Sequence, residues 1–261
     1  MINEIDFSSR KGDEPGCGPN GSNKQYGKAL EFLRTNELLH MSMIFPILRG
    51  TVELIYTGDD GVLLKELESN SYMLAAYCFD KGKQLIDSVG RKELFCVHQK
   101  PFADYLLGKY DYQHQLVCYQ AVYFDKEHIK KGAGTQSALA LDIKRLGAEY
   151  IDVICEHYNQ FVDQQYIIDR LTAGAIYGGF SGDTLCGFVG THEEGSIGLL
   201  EVIETYRRRG FGEELLCYMA HLILDRGQTP FSQISTDNEI SIKLHKKLGF
   251  KVSSDTIHWL F

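Results

Sequence analysis

The sequence predicts a mixed α+β fold, and three stretches carry that prediction. Val52, Leu54 and Tyr56 alternate up to Gly58-Asp59-Asp60-Gly61, after which Val62-Leu63-Leu64 resumes, the pattern of a hairpin. From Gly174 to Ile203 the alternation returns as three strands around the turns Ser181-Gly182-Asp183 and Glu193-Glu194-Gly195, a meander. Phe211 to Arg226 then carries Leu215, Met219 and Leu222 on one stripe with Leu216, Ala220 and Ile223 beside it. Gly227 and Pro230 supply the stop signals of a helix.

The remaining elements follow in chain order. Gly12 to Lys24 concentrates Gly, Pro, Asn and charge with little to bury, so residues 1–25 are a flexible lead-in. Tyr26 to Met43 places Leu30, Leu33, Leu38 and Leu39 at helical spacing. Tyr72 to Cys78, Leu94 to His98 and Gln115 to Phe124 are β segments, and Pro101 to Tyr110 is a short helix with proline in its first turn. This N-terminal α+β part, 26–130, shows no chemical constellation; His98 reads as a packed histidine. Asp125 to Thr135 is the expected linker to a second domain, 136–261. There Ala138 to Gln160 and Asp163 to Leu171 carry helical periodicity, through Leu139, Ile143 and Leu146 and through Ile167, Ile168 and Leu171. Beyond the long helix come a strand (Phe231 to Ile234), a helix (Asn238 to Leu248) and a last β segment (Lys251 to Phe261).

Composition narrows the function. The chain has 261 residues and a formal net charge of -8, which argues against sequence-independent binding of nucleic acid. No run approaches the roughly 20 apolar residues of a membrane span, and Met1 to Arg10 lacks a basic start followed by an apolar block, so a cytoplasmic protein is expected. Seven cysteines stand singly without CxxC spacing, the pattern of free thiols and not of a metal site.

The most informative segment is Val202-Ile203-Glu204-Thr205-Tyr206-Arg207-Arg208-Arg209-Gly210-Phe211-Gly212, where a strand gives way to a helix within a few residues. A helix start aims unpaired amides and the positive end of the helix dipole at one spot, so an anion belongs there. Gly210 and Gly212 allow close backbone approach, and Arg207, Arg208 and Arg209 add charge.

The order of meander, Arg-x-x-Gly-x-Gly turn, amphipathic helix, strand, short helix, glycine and aromatic residue resembles the GNAT superfamily of coenzyme-A-dependent N-acyltransferases. Its turn is written R/Q-x-x-G-x-G/A, matched by Arg207, Gly210 and Gly212. Its second signature, N-x-x-S-x-x-L-Y-x-K-x-G-F, is similar to Asn238, Ser241, Leu244, His245, Lys247, Gly249 and Phe250. The phrasing GSIGLLEV…YRRRGFG looks closest to glycine N-acyltransferase-like proteins. The resemblance covers about Ala138 to Phe261. It implies a central mixed, mostly antiparallel sheet flanked by helices, and permits a degenerate second copy of the fold in the N-terminal half.

The resemblance also implies roles. Acetyl-CoA is the cosubstrate and no metal is needed; its pyrophosphate lies on Arg207 to Gly212, the strand Leu199 to Ile203, with Val202 and Ile203, offers its backbone to the pantetheine arm, and an amide near Val202 donates to the oxyanion. Phe211 opens the helix of the cradle, and Asn238 either caps its own helix or reaches the coenzyme. The thiolate-protonating tyrosine of many members falls on His245, which as an imidazolium would serve and which equally reads as a surface histidine. The glutamate base of some relatives falls on Ser196. Glu193, Glu194 and Glu201 lie near enough to replace it, and Glu201 ranks first as a carboxylate inside an apolar strand. The expected partner is a small-molecule amine, with neither nucleic acid nor membrane; a homodimer fits the same reading. A protein-directed acetyltransferase and a silent coenzyme-binding module are the other two classes.

Overall fold

The computed structural model describes residues 21–127, 129, 141–158 and 163–261. In these residues eleven strands join into one sheet, with eight helices on its two faces. The first half begins with α1 (Gly21–Leu33) and α2 (Glu37–Arg49). The single helix expected over Tyr26 to Met43 is broken by a 3-10 turn at Arg34–Asn36. Asn36 then starts α2 by accepting a hydrogen bond from the Leu39 amide (3.3 Å). β1 (Val52–Gly58) and β2 (Gly61–Glu66) form the expected hairpin, followed by β3 (Tyr72–Ala76), α3 (Phe79–Val89), β4 (Phe95–Val97), α4 (Lys100–Lys109) and β5 (Gln115–Val122). The sequence did not announce α3, whose buried stripe is narrow: Gly82, Leu85 and Ile86.

The second half runs β6 (Asp142–Arg145), α5 (Ile151–His157), α6 (Gln164–Thr172), β7 (Ile176–Ser181), β8 (Thr184–Thr191) and β9 (Ile197–Val202). It continues with α7 (Phe211–Asp225), β10 (Phe231–Ser235), α8 (Glu239–Lys247) and β11 (Lys251–Leu260). The helix expected from Ala138 to Gln160 is corrected. Asp142 to Arg145 pair with Phe180 to Tyr177 as an edge strand, and α-helix begins at Ile151, after a 3-10 turn at Ala148–Tyr150. Most of the proposed lead-in and linker lies outside the described residues; Gly21 to Gln25 already belong to α1.

The strand order is β1-β2-β3-β4-β11-β5-β10-β9-β8-β7-β6. Each half repeats one plan: two helices, a three-stranded meander, a helix, a strand, a helix and a last strand, with β6 added ahead of the second copy. The last strands are exchanged. β5 pairs with β10 of the other half, β11 pairs with β4, and the two run antiparallel to each other at the centre. The sheet is thus continuous across the boundary near residue 130. Apolar clusters fill both faces. α1 and α2 cover Val62, Met73, Cys118, Phe231 and Ile257, and on the opposite face of the second half α7 and α8 cover Val189, Ile197, Ile234 and Phe250. Among the described residues no helix is long and apolar enough to cross a membrane.

Candidate active site

The site begins with an irregularity in β9. Leu199 takes φ +50°, left-handed backbone in a non-glycine residue, and the register between β8 and β9 shifts there. β9 therefore leaves its other neighbour early: its parallel pairing with β10 consists of Ser232 with Ile197. The equivalent pair in the first half, β3 with β4, stays joined through three residue pairs. The second half is split where the first is closed.

A cavity of about 640 Å³ runs through the split. Toward α7 and α8 it is lined by Leu216, Ser232, Ile234 and His245, and toward α1 and α2 by Cys118, Gln233 and Trp259. The glycine turn follows the end of β9. Val202 and Ile203 lead into a 3-10 turn at Glu204–Tyr206, then Arg208 (φ +63°) and Gly210 (φ +86°) adopt left-handed backbone before α7. Among the described residues no side chain caps α7, and a Cβ built on Gly210 would meet nothing within 4 Å. The two acidic side chains of its first turn are held elsewhere: Glu213 pairs with Lys247 (2.6 Å) and Glu214 accepts from the Leu141 amide (3.1 Å). The helix start keeps its positive field. Phe211 is buried under the turn and anchors it.

The structure separates the predicted site residues. Arg207 folds back onto β9, donating from Nε to the Val202 carbonyl (3.0 Å) and from Nη2 to Glu201 (3.0 Å). Arg209 donates to the Thr205 carbonyl, and its guanidinium lies over the Tyr206 ring. Glu201 also accepts from the Val202 amide (3.2 Å), so its carboxylate steadies the turn and is not aimed into the cavity. That amide is accordingly engaged and does not await an oxyanion. Asn238 lines the cavity and caps α8, accepting from the Ser241 amide (3.0 Å).

His245 is buried, and burial lowers its pKa to about 4, so it is a neutral imidazole at neutral pH. Nδ1 lies 2.8 Å from the Ser241 carbonyl and must carry the proton; Nε2 then accepts from the Ser232 hydroxyl (2.9 Å). The imidazolium expected from the sequence is therefore corrected to a neutral ring that orients Ser232.

Ser196 donates its hydroxyl to Glu194 Oε1, which also accepts from Gln233 Nε2 (3.3 Å); Gln233 is in turn held by the Trp259 indole. Glu194, ranked below Glu201 from the sequence, is 7% exposed and lines the cavity. Its burial comes from the other half of the chain. Phe45 of α2 presses on Gly195 (φ +99°), where a Cβ would stand 2.2 Å from the ring, and Arg49 donates to the Glu193 carbonyl. Tyr158 reaches the split from the end of α5, its hydroxyl against the Leu199 amide; burial raises its pKa, so it stays protonated. Sequence reasoning ranked Glu194 below Glu201 and missed Ser232 and Gln233. Glu194 alone carried a signal, a carboxylate beside a turn glycine at the mouth of an apolar strand.

This split sheet, glycine turn and helix have known counterparts. A family model for FR47-like proteins matches residues 176–260. No curated protein sequence matches the chain. Among solved structures, a Drosophila protein is similar at 15% identity and TM-score 0.63, covering 92% of this chain and 96% of that one. A GCN5-related N-acetyltransferase-like protein from Streptococcus suis is similar at 15% identity and TM-score 0.51, over 90% of this chain and 99% of its own. A GNAT-family acetyltransferase from Colwellia psychrerythraea is similar at 12% identity and TM-score 0.51, over 92% and 94%. The chain has the GNAT fold. The coverage takes in both halves, so the repeated plan with exchanged last strands belongs to the matched architecture. Within this GNAT fold, no group of three or more His, Cys, Asp or Glu among the described residues could hold a metal ion.

Proposed function

We propose that the chain is an acetyl-CoA-dependent N-acyltransferase acting on the amine of a small molecule. One observation carries this reading: an uncapped helix start adjoins a split in the sheet, and the cavity through that split is lined by a buried carboxylate, Glu194. Arg208 to Gly212 would hold the coenzyme's pyrophosphate, and the loosened edge of β9 would take its pantetheine arm, leaving the thioester in the split. The FR47-like match and the GNAT neighbours support acyl transfer. The phrasing of Gly195 to Gly212 supports kinship with glycine N-acyltransferase-like proteins. Free thiols at Cys78, Cys96, Cys118, Cys155, Cys186 and Cys217 support a reducing, cytoplasmic setting.

In this mechanism Glu194 is the general base. Among the described residues its hydrogen bonds fall on Oε1, which leaves Oε2 to take a proton from the substrate ammonium. The freed amine attacks the thioester carbon, and the second amine proton neutralises the thiolate as the C–S bond breaks. Tyr158 holds its proton too firmly to give it up and acts by hydrogen bonding at the split; Ser232, aligned by His245, offers a second hydroxyl there. A cavity of about 640 Å³ favours a small acceptor over a folded protein.

Acetyl-CoA at a hundredfold excess over its Kd should stabilise the protein by about 2.7 kcal/mol, a rise in Tm of roughly 5 to 10 °C. Gly210→Glu sets a negative side chain at the helix start and should abolish the shift. A shift that survives in a folded Gly210→Glu protein refutes the assigned cradle.

A further inference from the structure

On the α1/α2 side of the split the cavity widens into a chamber built by both halves of the chain. One wall is apolar. Leu94 and Leu116 come from the first half, and Trp259 and Phe261 from the end of β11. The lining also includes Glu194, Tyr158 and Tyr166, with the Tyr166 hydroxyl fixed on His192 Nδ1. Glu93, Asp163, Asp169 and Glu193 stand at the edge. Counting Glu194, five carboxylates thus line the cavity, and among the described residues no lysine or arginine does.

The nearest guanidiniums are already committed. Arg49 holds Glu68 through two bonds of 2.7 Å and also binds the Glu193 carbonyl, and Arg170 donates to the Thr191 carbonyl (3.0 Å). A carboxylate entering this chamber would meet five lining carboxylates against the single nearby charge of Arg170, whereas an ammonium is attracted. The aliphatic and aromatic wall favours a body that covers it.

We propose that the acceptor is a primary amine on an aromatic or aliphatic body without a carboxylate, the decarboxylated counterpart of an apolar amino acid, and that the N-terminal half supplies the wall that selects it. This inference rests on the acyl-transfer reading above. It departs from the acceptor that the glycine N-acyltransferase resemblance would imply, since glycine carries a carboxylate and no apolar body. Leu94 and Leu116 are then specificity residues contributed by a half with no coenzyme turn of its own.

Matched pairs test it: tyramine against tyrosine and phenethylamine against phenylalanine, with glycine, spermidine and a lysine-containing peptide as further acceptors. Thiol release from acetyl-CoA is the readout, and the acetyl-CoA thermal shift is measured on the same sample. Each amine should exceed its amino acid in kcat/KM by at least about a hundredfold, and spermidine, which lacks an apolar body, should be slower than tyramine. With a normal thermal shift, equal rates within a pair, a preference for glycine or the peptide, or no reaction with any amine each overturn the acceptor class and leave the transferase reading standing. Absence of both the shift and thiol release overturns the transferase reading itself. Leu116→Arg introduces the missing cation and should move the tyramine-to-tyrosine ratio at least tenfold toward tyrosine. An unmoved ratio in a variant that still binds acetyl-CoA removes Leu116 from the wall, and if that variant does not fold the wild-type pairs decide.

Discussion

Glu194 shows how a residue's chemistry depends on chain far from it in sequence. Between Glu193 and Gly195 it reads as a solvated turn residue, and its burial is legible only once Phe45 and Arg49 of α2 are seen against that turn. Glu201 misled for the opposite reason. A carboxylate in an apolar strand does need a partner, and the partner is Arg207, six residues on. Ser196 stands beside the carboxylate proposed as the base, its hydroxyl donating to Glu194. Glu194→Gln keeps the shape and the hydrogen bond from Ser196 while removing the base. Turnover should fall by about 10²- to 10⁴-fold with acetyl-CoA affinity unchanged, measured by steady-state kinetics and by the coenzyme thermal shift. Turnover within a few-fold of wild type would exclude Glu194 as the base.

At the scale of elements, the strand-to-helix glycine turn was legible because its parts are contiguous. A strand end, glycines and a helix start lie within eleven residues, and local backbone rules decide their geometry. β6 was not legible: the spacing of Leu139, Ile143 and Leu146 suits a helix, and strand pairing with β7 overrides it. α8 presents a narrower question, because Asn238 both caps the helix and lines the cavity. A capping role predicts that Asn238→Ala lowers stability by about 1 kcal/mol, a drop of roughly 2 to 4 °C in Tm, and leaves the acetyl-CoA Kd as it was. A Kd raised tenfold with Tm unchanged would assign Asn238 to the coenzyme instead.

At the scale of the whole molecule, burial sets the acid limit of stability. Desolvation lowers the pKa of His40, His98, His192, His245 and His258, while the unfolded chain keeps values near 6.5. As the pH falls below about 6.5 the unfolded state takes up protons that the native state refuses. Stability present above that pH is lost progressively toward the folded value, about 4 for His245. Tm should therefore drop steeply between those limits, and His98→Leu, at a ring whose Nδ1 has no partner among the described residues, should flatten the profile. Topology makes a stronger demand. The glycine turn and both motifs that resemble GNAT signatures lie in residues 136–261, which read as a self-sufficient domain because sequence motifs say nothing about which strand pairs with which. Yet β11 has β4 and β5 as its neighbours, both from the first half, and β5 also covers the edge of β10. A fragment of residues 136–261 keeps every motif and loses every partner of its last strand. It should be insoluble or unfold without a cooperative transition, and coexpression with residues 1–130 should restore a soluble complex that acetyl-CoA stabilises. A fragment that folds cooperatively by calorimetry would require β11 to leave its place and pair with β10 directly, and the exchanged strands would then be dispensable to the fold.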